Sequence, residues 1–213
     1  MRRSPVHDLA AAERADLAGL LDTLTPGQWV SDSLCAGWRV RDVVAHLIGY
    51  DVAGLRGFLG TVVRARATGR DPNDLVVAQW ADRPVTEVVA AVRAHLRPRG
   101  VTAAFGGRIG LTDALIHHQD IRRPLGLHRS VPAERLAAAL PFTMTAPPLG
   151  ARRRIAGLRL VATDLDFRHG DGPEVAGPAE ALLMAAAGRA DAVAELSGPG
   201  RELLAARTAQ RGA

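Results

Sequence analysis

The chain has 213 residues, of which 47% are apolar, 23% charged and 4% aromatic. A chain of this size buries enough surface for one or two domains, so folding requires neither disulfides nor a structural metal. The single cysteine, Cys35, excludes an internal disulfide. No apolar run approaches the roughly 18 residues of a membrane span, and the N-terminus lacks the pattern of a signal peptide. The sequence therefore predicts a cytoplasmic protein with no membrane partner.

The positive charge of the chain does not indicate a nucleic-acid partner. The formal net charge is +5, the isoelectric point is near 10.9, and all 27 basic residues are arginines. These arginines are spread along the chain, often beside acidic residues. One tyrosine and four phenylalanines offer no aromatic surface for base stacking. We therefore expect no nucleic acid among the partners.

Helical periodicity dominates the first two thirds of the chain. Apolar residues at helical spacing, bounded by proline or glycine, predict four main helices over residues 5–24, 40–68, 84–97 and 109–123, and a shorter fifth over residues 132–145. The segment 74–80 adds a turn ahead of the third helix. Four main helices joined by moderate loops predict a helical bundle.

The sequence pattern changes near residue 150. The segment from Leu158 to Phe167 predicts a strand, and a glycine-rich turn over residues 169–173 leads to a second short strand around Glu174 and Val175. A further helix follows over residues 178–187. We therefore predict two domains, a helical bundle over residues 1–150 and a small α+β domain over residues 151–213.

One predicted helix carries the strongest chemical signal in the chain. At about 100° per residue, Asp113, His117 and Asp120 share one helix face, while His118 points away from it. An aspartate and a histidine four residues apart can supply two ligands to one divalent ion. His46, on the apolar stripe of the long second helix, is the best candidate for a third ligand. Two nitrogens and one oxygen suit zinc or a similar transition metal with one position left open.

The same residues also have structural interpretations. An aspartate and a histidine at this spacing often form a surface pair without a metal. Asp120 could hydrogen-bond the far nitrogen of a ligating histidine, or pair with Arg123 on the helix surface. His118 is expected at the surface or beside a ligand. Cys35 has no histidine or lysine beside it in sequence, which is more typical of a small buried apolar residue than of a nucleophile.

Three blocks of the sequence occur in the order found in a known family. Trp29, the segment 33–38 and the segment 40–47 form the first block, the segment 113–126 the second, and the segment 158–207 the third. Together they resemble the mycothiol-dependent maleylpyruvate isomerase family of the DinB-like superfamily, in a form of actinobacterial type. The resemblance implies a mostly α fold, a DinB-like four-helix bundle followed by a small α+β C-terminal domain.

The resemblance also implies which residues bind the metal. Carried over by position, the family's ligands fall on His46, Asp113 and His117. The family's isomerases have glutamate where this chain has Asp113, which is one methylene shorter. The metal must then lie closer to the helix, bind through water, or be absent. Arg122 and Arg123 are compatible with holding a substrate carboxylate or thiol, or with complementing the negative end of their helix.

The function implied by the resemblance is that of a metal-dependent enzyme linked to the low-molecular-weight thiol mycothiol. With zinc or nickel as the ion, a thiolate would add to a small electrophilic substrate, giving an isomer or a stable S-adduct. Two other hypotheses stay open. One is a non-catalytic bundle with a vestigial metal site, used for homodimer formation or small-ligand binding. The other is a metal-dependent hydrolase with Asp120 as its general base.

Overall fold

The computed structural model describes residues 5–209, which divide into two compact units. The first unit ends at Arg129 and the second begins at Ser130. This division lies earlier than the predicted boundary near residue 150, because the helix Ala133–Thr145 packs against the helices that follow it in the chain. No helix in the described range is long and apolar enough to cross a membrane.

The first unit contains the predicted helical bundle. Its described helices are α1 (Pro5–Leu21), α2 (Pro26–Trp29), α3 (Val40–Thr68), α4 (Pro72–Ala78), α5 (Val85–Ala94) and α6 (Arg108–Arg122). α6 packs against α1 and α3, and α5 packs against the same two helices. These four long helices confirm the bundle, with bounds close to the predicted ones. The turn predicted before the third helix is the short helix α4, which packs on α3.

Apolar residues at helical spacing meet in the interior of the bundle. α3 contributes Val43, Val44, Leu47 and Ile48, each with 1% or less of its surface exposed. Burying one such side chain stabilises the fold by roughly 1.5–3 kcal/mol. This apolar stripe determines the rotation of α3 about its axis, and hence the direction in which His46 points.

α3 is broken in the middle. At Gly54 the backbone has φ of 63° and ψ of −171°, which is not helical. Glycine adopts this conformation readily, whereas a side chain would be strained there. The sequence predicts an unbroken helix over residues 40–68, because the apolar spacing continues across Gly54 and gives no sign of the break.

A buried ion pair joins α1 to α3. Two guanidinium nitrogens of Arg14 donate to the two carboxylate oxygens of Asp51, each at 3.0 Å, and neither side chain is exposed. The same carboxylate accepts hydrogen bonds from the Thr102 hydroxyl at 2.9 Å and from the Arg99 backbone N–H at 2.7 Å. Since Asp51 lies just before Gly54, these contacts anchor the end of the straight part of α3.

A second buried network joins α1 to α6. Arg122 donates to His118 Nε2 at 2.8 Å, so the proton of His118 lies on Nδ1, which donates to Glu13 Oε1 at 2.8 Å. Arg129 also pairs with Glu13. Burial raises the pKa of Glu13, but the hydrogen bond from His118 and the charge of Arg129 outweigh burial and lower it to about 2. The expectation of a surface position for His118 is wrong, since it is fully buried.

The second unit is a small α+β domain, as predicted. Its described elements are α7 (Ala133–Thr145), α8 (Ala151–Ile155), α9 (Ala179–Ala186), α10 (Arg201–Ala209), β1 (Arg159–Ala162), β2 (Arg168–His169) and β3 (Glu174–Gly177). β1 is central, antiparallel to β2 and parallel to β3, and α9 packs against β1 and β3. The sequence did not predict β2, α8 or α10, since such short segments carry little periodicity.

We expect Asp51→Ala to lower the free energy of unfolding by about 3–5 kcal/mol, because it leaves the buried guanidinium of Arg14 without its counter-charge. Urea unfolding followed by circular dichroism measures this loss. The control is Glu87→Ala, which removes a half-exposed pair with Arg83 and should cost less than about 1 kcal/mol. Equal losses in the two variants would contradict the structural importance of the buried pair.

We also expect the acid stability of the protein to depend on Glu13. Its folded pKa of about 2 lies below the ordinary value of 4.5, so its stabilising effect is present above pH 4.5 and is lost as the pH falls toward 2. Glu13→Gln should remove this part of the pH dependence, on the order of 3 kcal/mol. Urea unfolding at a series of pH values measures the slope, with Glu87→Gln as the control. An unchanged slope in Glu13→Gln would show that the carboxylate is not held in its ionised form.

Candidate metal centre

Two helices of the bundle bring three polar side chains to one point. His46 lies on α3, and Asp113 and His117 lie one turn apart on α6. Their ligand atoms are all within 4.8 Å of one another. The apolar stripe of α3 turns His46 toward α6, and the helical period places the other two on one face of α6. The three residues that the sequence proposes as ligands therefore converge in the folded chain.

Asp113 Oδ1 lies between the two imidazoles. It is 3.7 Å from His46 Nε2 and 3.4 Å from His117 Nε2. Ligand bonds of about 2.0–2.2 Å in a tetrahedral zinc site place neighbouring ligand atoms roughly 3.3 Å apart. The observed separations are close to that value and too long for strong hydrogen bonds. The Asp113 carboxylate thus lies close to a ring nitrogen of both histidines.

The electrostatics of the site favour a cation. Burial raises the pKa of Asp113, but the charge of His117, together with that of His46, outweighs burial and holds that pKa well below its ordinary range. Burial lowers the pKa of His117, but the charge of Asp113 outweighs burial and raises that pKa well above its ordinary value. Asp113 is therefore held as a carboxylate, which is the form that binds metals, and a divalent cation would take the place of a proton.

The second nitrogens of the two histidines have different surroundings. His117 Nδ1 donates to Asp120 Oδ2 at 2.9 Å, so the fully buried Asp120 holds the far nitrogen of a candidate ligand. His46 Nδ1 is buried and has no hydrogen-bond partner among the described residues. A buried imidazole whose nitrogens both lack a hydrogen bond is costly. Coordination through Nε2 would give that nitrogen a partner, although it would leave Nδ1 as it is. Two imidazole nitrogens and one carboxylate form a donor set that fits a divalent transition metal.

Aromatic rings flank His46. The ring centroid of Trp38 lies 5.1 Å from that of His46, and the ring centroid of Tyr50 lies 5.7 Å from it, edge-on. The Trp38 indole N–H donates to Asp74 at 3.1 Å, and the Tyr50 hydroxyl donates to Asn73 at 2.8 Å. α4 therefore positions both rings beside His46.

Cys35 is the residue at this site that sequence reasoning missed. It is buried, as expected, but its Sγ lies 3.1 Å from Asp120 Oδ2 and 3.7 Å from His117 Nδ1. Cys35, His117 and Asp120 form a second group whose ligand atoms are all within 4.8 Å of one another. Local sequence carries no signal for this contact, because it joins the loop after α2 to α6.

The two arginines at the end of α6, Arg122 and Arg123, make contacts outside the group of candidate ligands. Arg122 donates to His118 Nε2 and, at 3.4 Å, to the backbone carbonyl of Leu127, on the face of α6 that meets α1. Arg123 is half-buried and caps the helix through a backbone bond to Gln119. A role for either arginine in holding a substrate carboxylate stays a prediction.

Comparisons with known proteins agree with the predicted fold. Residues 10–99 match the family described as the mycothiol maleylpyruvate isomerase N-terminal domain. Two crystal structures of the mycothiol-dependent maleylpyruvate isomerase, one of them a histidine-to-alanine mutant, match 93% of this chain and 96% of their own. Each has a TM-score of 0.61 at 14% identity, a likeness that shows the fold alone. No curated protein matches the chain.

We expect His46→Ala and His117→Ala each to weaken zinc binding by about 100-fold or more, since loss of a residue that only supports a ligand already weakens binding by about 10–100-fold. Competition with a chromophoric chelator measures the affinity. The matched control is His118→Gln, which changes the next residue and keeps a donor for Glu13. Equal losses of zinc affinity in the His117 and His118 variants would contradict the assignment of the metal to the face of α6 that carries His117.

Proposed function

We propose that this protein is a metal-dependent, mycothiol-linked isomerase or S-transferase, because residues 10–99 match the family described as the mycothiol maleylpyruvate isomerase N-terminal domain. Its substrate is a small electrophile. The observation that carries the proposal is the convergence of His46, Asp113 and His117 within 4.8 Å between two helices of the bundle. Three ligands from two helices leave a coordination position for a thiol.

The proposed ion is zinc or nickel, held by the Nε2 atoms of His46 and His117 and by the carboxylate of Asp113. When bound, such an ion lowers the pKa of a coordinated thiol, so that a thiolate is available near neutral pH. Asp113 supplies negative charge to the site. Asp120 keeps the proton of His117 on Nδ1, which leaves Nε2 free to donate its lone pair.

The surroundings of His46 support binding of a planar, unsaturated substrate. Trp38 and Tyr50 are half-buried, and both rings are held by hydrogen bonds to α4. Apolar ring surface beside the ligands gives an unsaturated carbon chain a place to pack. The same surface keeps water from the reacting atoms.

The isomerase and the transferase differ in the fate of the thiol. In the isomerase, the thiolate sulfur forms a C–S bond to one carbon of a double bond conjugated with a carbonyl, and the π electron pair moves onto the carbonyl oxygen as an enolate. The former double bond is then a rotatable single bond. Rotation and cleavage of the C–S bond then restore the double bond and return the thiol unchanged. In the transferase, a proton is added and the C–S bond is kept. The solved neighbours are isomerases, which supports the isomerase as the first activity to test.

Two alternatives have less support from the arrangement of the site. A vestigial site does not require Asp113 to lie at separations from both histidines that are close to those of zinc ligands. The hydrolase needs a general base, and Asp120 is the candidate for that role. Asp120 is fully buried and its Oδ2 already accepts hydrogen bonds from His117 and Cys35, so it is poorly placed to activate water.

We expect the zinc- or nickel-loaded protein to isomerise maleylpyruvate only when mycothiol is present. An amount of mycothiol smaller than the amount of maleylpyruvate should be enough for complete conversion, because an isomerase returns the thiol after each reaction. Absorbance of the substrate measures the rate, and mass spectrometry detects a thioether adduct, which would identify a transferase instead. The His117→Ala variant should be inactive, while the control His118→Gln should retain activity.

Thiol binding distinguishes the enzyme from the non-catalytic bundle. Mycothiol should bind the metal-loaded protein with release of about one proton per thiol, because a thiol with an ordinary pKa near 8.5 becomes a thiolate ligand. Calorimetry in two buffers of different ionisation enthalpy counts the proton. Equal binding in the absence of metal, or no binding at all, would contradict the proposed mechanism.

A further inference from the structure

Cys35 begins a chain of contacts that ends at a proposed metal ligand. Its Sγ donates to Asp120 Oδ2 at 3.1 Å, and His117 Nδ1 donates to the same oxygen at 2.9 Å. Asp120 has no exposed surface, and Cys35 has 8% of its surface exposed. The two donors therefore converge on one carboxylate oxygen with little competition from water.

We propose that Cys35 is a positioning residue for the metal site. Its thiol fixes the Asp120 carboxylate, which in turn fixes the His117 imidazole with Nε2 turned toward Asp113. The thiol adds a donor on the same oxygen that His117 uses, and this contact opposes rotation of the carboxylate away from His117. The inference rests on the proposed function, because the residue positioned is one of the proposed ligands.

The loop that carries Cys35 is itself anchored to α6. The Leu34 backbone N–H donates to the Asp120 backbone carbonyl at 3.0 Å. The Ser33 hydroxyl accepts from the Cys35 N–H at 3.1 Å and donates to the Trp38 carbonyl at 2.7 Å. These bonds hold the thiol at a defined place beside the Asp120 side chain, which a residue that only fills space does not require.

A role for Cys35 as a metal ligand fits the geometry less well. His117 Nδ1 and Asp120 Oδ2 are 2.9 Å apart, a hydrogen-bond distance, whereas neighbouring ligands of one zinc ion are roughly 3.3 Å apart or more. An ion bound there would also displace the proton on Nδ1. That proton is the one that leaves Nε2 of His117 available to the site with His46 and Asp113.

Zinc affinity tests the proposal through a pair of variants that differ in the donor. Cys35→Ala removes the S–H donor and should weaken zinc binding by about 3–10-fold, below the loss of about 10–100-fold typical of residues that contact a ligand directly. Cys35→Ser keeps an O–H donor and should recover most of the affinity. Adding Cys35→Ala to Asp120→Asn should cause no further loss. Unchanged or tighter zinc binding in Cys35→Ala would overturn the proposal.

Cobalt(II) in place of zinc distinguishes positioning from ligation. The cobalt-loaded protein should show visible d–d bands without a near-ultraviolet thiolate-to-cobalt charge-transfer band. Cys35→Ala should shift the visible bands, because the orientation of His117 changes, and Cys35→Ser should restore them. A thiolate charge-transfer band that disappears in Cys35→Ala would overturn the proposal, since it would make Cys35 a ligand.

A measurement on metal-free protein separates this inference from the proposed function. The Nδ1–H proton of His117 should give a protected, downfield resonance in the ¹H–¹⁵N spectrum. In Cys35→Ala it should shift and exchange faster with water, and Cys35→Ser should restore it. Absence of zinc binding by the wild-type protein would refute the metal-dependent function. The Nδ1–H resonance would still report whether Cys35 positions the His117 imidazole. An identical Nδ1–H signal in Cys35→Ala would overturn the positioning role.

Discussion

The buried ion pair between Arg14 and Asp51 is the constraint on which the geometry of the first unit depends. Neither side chain is exposed, and a buried charge without its partner would cost several kcal/mol. α1 and α3 must therefore meet at this point, and the contacts of Thr102 with the same carboxylate bring in the loop after α5. The orientation of α3 that satisfies Asp51 is also the one that points His46 toward α6.

Two adjacent histidines on α6 show how surroundings decide chemistry. His118 faces α1, where burial lowers its pKa to about 4 and Glu13 accepts its Nδ1 proton. His117 faces α3, where the charge of Asp113 overcomes burial and raises the pKa of the imidazole. His118 is thus kept neutral on one face of α6, whereas His117 on the other face readily binds a proton. The first histidine holds the bundle together, and the second is available for binding.

The candidate metal centre combines parts from several segments of the first unit. α3 and α6 provide the three converging side chains, α4 holds the flanking rings of Trp38 and Tyr50, and the loop after α2 brings the thiol of Cys35 to Asp120. Ligands on two packed helices keep their separation as long as the core of the bundle is intact. The supporting contacts determine which nitrogen of each imidazole faces the centre, and this choice is what a metal and its thiol would require.

Sequence by itself determined the main helices and the shared face of Asp113 and His117, because an α-helix has a fixed period that residue spacing reveals. It also singled out His46, since a polar side chain on an apolar stripe needs a partner. Only the tertiary structure decided the contact of Cys35 with Asp120 and the burial of His118 against α1. The tertiary structure also revealed the break at Gly54, the short strand β2 and the division after Arg129. These features depend on backbone dihedral angles and on contacts between segments far apart in the chain, and neither leaves a periodic pattern in the sequence.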